Sequence, residues 1–262
     1  MIDFDPASLG VGTIAALAGA AFVAGFVDAI AGGGGLVTVP AILAAGLPTH
    51  LALGTNKGQS VFGATASVAS FARRGTIDRA RAGPAFVLAL AGAFAGAAAQ
   101  RAVPKEPLRP VALALLVAAA AIVALRPLLL RKRATEPRDV TPSPITAGLI
   151  AFGLGVYDGF FGPGTGTLLM IAYVTFLGDP MTAASGNAKV ANFASNLASV
   201  ILFAWRGTVL WKISLPMALG NALGAALGVR VALKRGDDFI RVVLLVVVIA
   251  LVAKLAWDIL RG

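Results

Sequence analysis

Cysteine is absent from all 262 residues, histidine occurs once, at His50, and charged residues make up only 13% of the chain. Without thiols there is no disulfide framework, thiolate nucleophile, iron–sulfur cluster or Cys-type zinc site, and one imidazole excludes a multi-histidine metal cluster. Aromatic residues are scarce at 7%, and none is interleaved with the basic run Arg131-Lys132-Arg133 as a stacking platform for nucleic acid would require. The charged fraction is about half that of an ordinary soluble domain. A water-soluble globule is thereby excluded.

What is there is apolar. Hydrophobic residues reach 58%, glycine numbers 31 and the mean hydropathy is +0.87. Apolar stretches run from Ser8 to Ala31, Leu51 to Ala72, Gly83 to Ala99, Val111 to Leu130, Ile145 to Phe161, Ala183 to Trp205, Ile213 to Val229 and Val242 to Leu260. Each is close to the roughly 20 residues that cross a bilayer as a helix. Two further pieces, Leu36 to Gly46 and Thr167 to Leu177, are too short to cross and read as half-helices. The net charge of +10 belongs to the short segments between apolar runs, where it sets topology and meets anionic lipid. Asp3 and Asp5 precede the first run with no Lys or Arg, the wrong charge for a signal peptide, so that segment is expected to stay in the mature protein.

The chain matches itself. Gly25-Phe26-Val27-Asp28 with Gly32 and Gly34 recurs as Gly155-Val156-Tyr157-Asp158 with Gly162 and Gly164. Further on, Gly54, Lys57, Phe71, Thr76, Gly92 and Gly96 fall on Gly186, Lys189, Phe203, Thr208, Gly224 and Gly228 at a constant offset. The expected architecture is all-α and polytopic: two pseudo-symmetric repeats, each of about four helical elements with a glycine-broken discontinuous helix, as in secondary transporters. The repeats are assigned to residues 1–130 and 144–262, with 131–143 a basic cytoplasmic connector. Positive-inside counting places Arg73 to Arg81 on the cytoplasmic side whether the repeats are parallel or inverted, and inversion is the working expectation.

Gly32-Gly33-Gly34-Gly35 and Gly162-Pro163-Gly164-Thr165-Gly166 follow long apolar runs, not the strand of a dinucleotide fingerprint, and no Gly-Lys-Ser/Thr follows. They read as helix breaks whose following half-helices begin with unsatisfied N–H groups and a positive dipole end, an anion-binding element; a hinge or close packing point is the alternative. Lys57 and Lys189, flanked by Thr55, Asn56, Gln59, Asn187, Asn192 and Asn196, could hold an oxyanion, since an ammonium in a membrane helix costs about 2.5–3.5 kcal/mol and is kept for function. Snorkelling lysines and interhelical amide bonds are the structural alternatives. Asp28 and Asp158 are either ion-coupling groups or caps on the half-helices. Gly92, Gly96, Gly220, Gly224 and Gly228 read as close helix packing, and His50 as an interfacial residue.

These motifs resemble the sulfite exporter TauE/SafE family of bacterial membrane permeases, through Gly25 to Gly35 leading to Val39-Pro40, Gly54-Thr55-Asn56-Lys57, and Tyr157-Asp158-Gly159-Phe160-Phe161-Gly162-Pro163-Gly164-Thr165-Gly166. The four-glycine run is like the branch of probable transporters. The resemblance implies export of sulfite or small organosulfonates. The sequence expectation is therefore a multi-pass inner-membrane exporter of a small anion, without enzymatic activity, cofactor or metal, partnered by the lipid bilayer and not by nucleic acid, with a homo-oligomer allowed. Its expected substrate residues are Gly33, Gly34, Thr55, Asn56, Lys57, Gly164, Thr165, Asn187, Lys189 and Asn192, with Asp28 and Asp158 as coupling groups. The alternative is a proton- or Na⁺-coupled importer or channel with Asp28 and Asp158 as its ion site.

Overall fold

The computed structural model describes residues 9–102 and 143–261. The expected span Val111 to Leu130 and the connector 131–143, apart from Ser143, lie outside these residues. Eight helices occur among the described residues, with no strands: α1 (Val11–Ala31), α2 (Gly35–Ala44), α3 (Thr49–Arg73), α4 (Arg79–Arg101), α5 (Pro144–Phe160), α6 (Thr165–Leu177), α7 (Met181–Trp205) and α8 (Trp211–Arg261). Among the described residues, four segments are long and apolar enough to cross a membrane: Val11–Ala31, Arg79–Gln100, Met181–Trp205 and Trp211–Ile240. α3 has 25 residues, about 37 Å at 1.5 Å per residue, but Thr55, Asn56, Lys57 and Gln59 dilute its apolar character. α5 is shorter, at 17 residues, because it ends at a break.

The half-helices are as short as the apolar runs imply, 10 residues for α2 and 13 for α6. Their starts use glycine conformations closed to other residues: Gly32 at φ 77°, Gly162 at φ 97° and Gly164 at φ 87°. Within the polar stretch Lys234 to Arg241, between the last two apolar runs, Gly236 at φ 74° and ψ −167° is non-helical and kinks α8 into two helical stretches. A single glycine suffices to turn the axis, and Asp237 beside it accepts the N–H groups of Met181 and Thr182 at 3.1 and 3.0 Å, capping α7.

The small-residue stripes pack as their spacing implies. α1 lies along α8, with Gly220, Gly224 and Gly228 against the backbone of Ala18, Phe22 and Phe26. α4 lies along α5 in the same way, with Gly92 and Gly96 against Phe152 and Val156. With no hydrophobic drive between helices in lipid, this backbone contact is what holds them. Gly54 near the start of α3 meets Thr208 just beyond α7, and Gly186 near the start of α7 meets Thr76 just beyond α3. α3 and α7 therefore run antiparallel, side by side.

Candidate anion site

α1 ends one turn after Asp28 and α5 two residues after Asp158, and at both places a glycine break leads into a half-helix. The two breaks touch. Gly32 packs against the Gly166–Thr167 peptide so closely that any Cβ there would collide, and a Cβ on Gly35 would lie 3.1 Å from Pro163 Cα. The Thr167 hydroxyl donates to the Ala31 carbonyl at 3.0 Å, and the Tyr157 hydroxyl to the Pro163 carbonyl at 2.7 Å. The N-termini of α2 and α6 thus converge on one cavity of about 30 Å³, room for roughly two waters. Gly33, Gly34 and Gly35 line it from the first break; Gly162, Gly164, Thr165 and Gly166 line it from the second.

The ionisable residues pair across the halves. Lys57 Nζ lies 2.8 Å from Asp158 Oδ1, with the two side chains 3% and 1% exposed. Lys189 Nζ lies 2.6 Å from Asp28 Oδ2, with side chains 2% and 20% exposed. Ser195 donates its hydroxyl to the second oxygen of Asp158, whereas the second oxygen of Asp28 accepts the Gly34 N–H at 3.0 Å. Asp28 thus ties the Gly34 N–H just before α2 to Lys189, whereas Asp158 is held by side chains. Lys57, Asp28 and Asp158 line the cavity, and Lys189 stands against its carboxylate.

Helical period sorts the expected amides. Asn192 and Asn196 follow Lys189 by three and seven residues, stay on its face, and line the cavity, as does Asn56 beside Lys57. Thr55 and Asn187 each precede their lysine by two residues, about 200° around the helix, and point elsewhere. The Thr55 hydroxyl accepts the Leu210 N–H at 3.1 Å. Asn187 bridges Asp78 N–H and Asp179, at 2.9 and 3.1 Å. These two expected substrate residues thus serve helix connections outside the cavity. Two lining residues were not singled out from sequence, Ser60 and Asn221. Ser60 carried a signal, sitting three residues after Lys57. Asn221, a lone amide in the apolar Gly220–Gly228 stripe, was absorbed into helix packing.

Asn187 belongs to a second polar cluster, at the start of α4. Buried Arg81 donates Nε to Asp78 at 2.6 Å and Nη1 to both oxygens of Asp179, at 2.9 and 3.1 Å. Burial pushes the Asp78 carboxyl up, but the Arg81 hydrogen bond and the Ala80 N–H outweigh it and hold the group below its ordinary value. Among the described residues no group of three or more His, Cys, Asp or Glu could hold a metal ion.

Two lysines, two carboxylates, four amides and two half-helix N-termini make a site that is neutral when empty and rich in donors, suited to an anion that exchanges its water for protein N–H groups.

A family model described as "Sulfite exporter TauE/SafE" matches residues 17–255. A probable membrane transporter protein of a Sinorhizobium species is 41% identical over 239 residues, covering 91% of this chain and 90% of that protein. One from Haemophilus influenzae is 37% identical over 251 residues, covering 95% and 97%. One from Escherichia coli is 36% identical over 239 residues, covering 91% and 87%. No solved structure matches the chain.

Proposed function

Because the chain belongs to the sulfite exporter TauE/SafE family, we propose that this membrane protein is a multi-pass secondary transporter of the bacterial inner membrane that exports a small anion, of the sulfite or small organosulfonate class. One observation carries the reading: the N-termini of α2 and α6 open onto the cavity that also holds Lys57 and Asp158. Irregular backbone at membrane depth is tolerated only where it is buried or lines a cavity, and a pair of half-helix N-termini favours negative charge. Outward movement suits an anion, since each elementary charge gains about 2.3 kcal/mol per 100 mV on leaving a negative interior.

The anion would lie over the half-helix starts, with Asn56 and Asn192 as neutral donors and Lys57 as its counter-charge, displacing the lysine's hold on Asp158. Asp28 and Asp158 are the coupling groups in this proposal: a proton taken up by either carboxylate frees its lysine for the substrate. Asp28 is the more accessible of the two. The Na⁺-coupled form of the alternative is disfavoured, because Na⁺ at either carboxylate would have to displace an ammonium held at 2.8 or 2.6 Å. The reading is tested by ligand-dependent thermal stabilisation of the purified protein, which reports affinity through mass action. Sulfite, sulfate, nitrate and methanesulfonate are compared with sodium and potassium as chloride salts from about pH 5.5 to 8. Stabilisation by at least one oxyanion, weakened by Asn56→Ala, is expected; stabilisation by Na⁺ alone would reverse the assignment.

A further inference from the structure

Behind the cavity is a layer of fully buried polar side chains that makes no contact with the space itself. Thr38 on α2 and Gln59 on α3 are both 0% exposed. Thr38 donates its hydroxyl to Asn56 Oδ1 at 2.5 Å, and Gln59 Nε2 donates to the same oxygen at 2.9 Å. We propose that Thr38 and Gln59 are positioning residues that lock the Asn56 amide with its oxygen turned away from the site, so that its NH₂ faces the cavity as a donor and selects an unprotonated oxyanion. The inference rests on the anion reading above and deepens it.

The Thr38 hydroxyl, with one proton, also lies 3.1 Å from the Gly34 carbonyl, so it is the Gln59 amide that decides the orientation. Two donors already occupy Asn56 Oδ1, and Asn56 Nδ2 has no hydrogen-bond acceptor among the described residues, although the residue is only 3% exposed. That nitrogen lies 3.6 Å from the Cβ position of Gly35, at the first turn of α2. Gln59 Nε2 also reaches Ser60 Oγ at 2.9 Å, which leaves Gln59 Oε1 as the one buried oxygen of the group without a partner. Turning both amides over would bring Asn56 Nδ2 to the Thr38 hydroxyl, aim Asn56 Oδ1 at the site, and orphan the Gln59 NH₂. Leaving two N–H protons unsatisfied costs more than leaving one carbonyl oxygen with none, so the observed arrangement is the favoured one. The consequence is chemical. An acceptor aimed at the cavity beside Lys57 and two half-helix starts would repel an oxyanion at its closest approach, whereas a donor completes the ring of N–H groups.

The test uses proteoliposome flux of radiolabelled sulfite by the full chain, with sulfate and nitrate as further probes, in Thr38→Val, Thr38→Ser, Gln59→Leu, the Thr38→Val/Gln59→Leu double variant, and each of these with Asn56→Ala. Valine keeps the shape of Thr38 without the hydroxyl, and leucine removes the orphaned Gln59 oxygen, so neither is expected to unfold the protein; melting temperatures check this. Losing one donor hydrogen bond to a charged ligand corresponds to about a tenfold rise in KM. That rise is expected in the double variant with kcat little changed, smaller rises in the single variants, a return to wild type in Thr38→Ser, and no further rise once Asn56 is already alanine. An active wild type whose double variant keeps its KM, or loses kcat alone, or changes equally in the Asn56→Ala background, overturns the positioning role. A wild type that moves none of the three anions overturns the anion reading, and this inference with it.

Discussion

Lys57 and Asp158 are each almost wholly buried and 2.8 Å apart, so neither can be removed alone without stranding a charge. Lys57→Ala should cost about 3–5 kcal/mol of stability and abolish transport, while Lys57→Ala with Asp158→Ala should recover most of the stability and none of the transport. Thermal unfolding in detergent reads the first quantity, and an undiminished melting temperature in the single variant would contradict a charged buried pair. At the second polar cluster the sign of a pH effect is fixed. The Asp78 carboxyl is held below its ordinary value of 3.8, so its contribution to stability is present near neutrality and is lost as pH falls through the folded value. Asp78→Asn should therefore melt below wild type at about pH 7, and the gap should narrow as pH falls below the ordinary value of 3.8; a gap that does not narrow in acid would mean that the carboxylate's charge is irrelevant. At this scale the sequence showed Lys57, Lys189 and their flanking amides plainly, because polar groups in apolar runs are conspicuous. It did not show that each lysine takes its carboxylate from the other half, since that pairing depends on which helices become neighbours. Nor did it show that Thr55 and Asn187 face away, which needed the phase of each helix about its axis.

The broken helices put the site where it is. Gly162 sits at φ 97°, and a Cβ on it would lie 2.8 Å from Lys57 Nζ. Gly162→Ala should cost about 1–3 kcal/mol and displace the lysine, with loss of flux; wild-type flux in this variant would remove Lys57 from the site. Gly224 meets the Phe22 carbonyl with no room for a side chain. Gly224→Ala should likewise cost about 1–3 kcal/mol through overpacking, measured as a lower melting temperature, and a neutral outcome would mean that α1 and α8 can separate freely. Half-helices, breaks and small-residue stripes were all legible, because glycine and helix length leave direct marks in a sequence. The break between the last two apolar runs was legible in the polar stretch Lys234 to Arg241; what the sequence did not show is that the turn is confined to Gly236 and that Asp237 caps α7.

Across the whole molecule, the antiparallel course of α3 and α7 places the loop at Thr76 and the loop at Thr208 at opposite ends of these helices. If Arg73 to Arg81 is cytoplasmic, a cysteine introduced at Thr208 should react with a membrane-impermeant thiol reagent from the periplasm and one at Thr76 should not. Labelling of both from one side would contradict the antiparallel arrangement. An all-α membrane fold was legible from composition alone, since nothing but closed helices could satisfy so apolar a backbone in lipid without strand-like alternation. The self-match in sequence suggested a two-part molecule, but the direction of its parts was open, because loop charges divide similarly for either orientation. The account as a whole rests on anion movement through the cavity between the two breaks. It is tested most directly by sulfite flux in proteoliposomes under an imposed potential, comparing wild type with the charge-balanced Lys57→Ala/Asp158→Ala variant. The account predicts flux toward the positive side in wild type and none in the variant, with both proteins folded. Wild-type flux in the variant, or a wild type that carries cations and no anion, would contradict it.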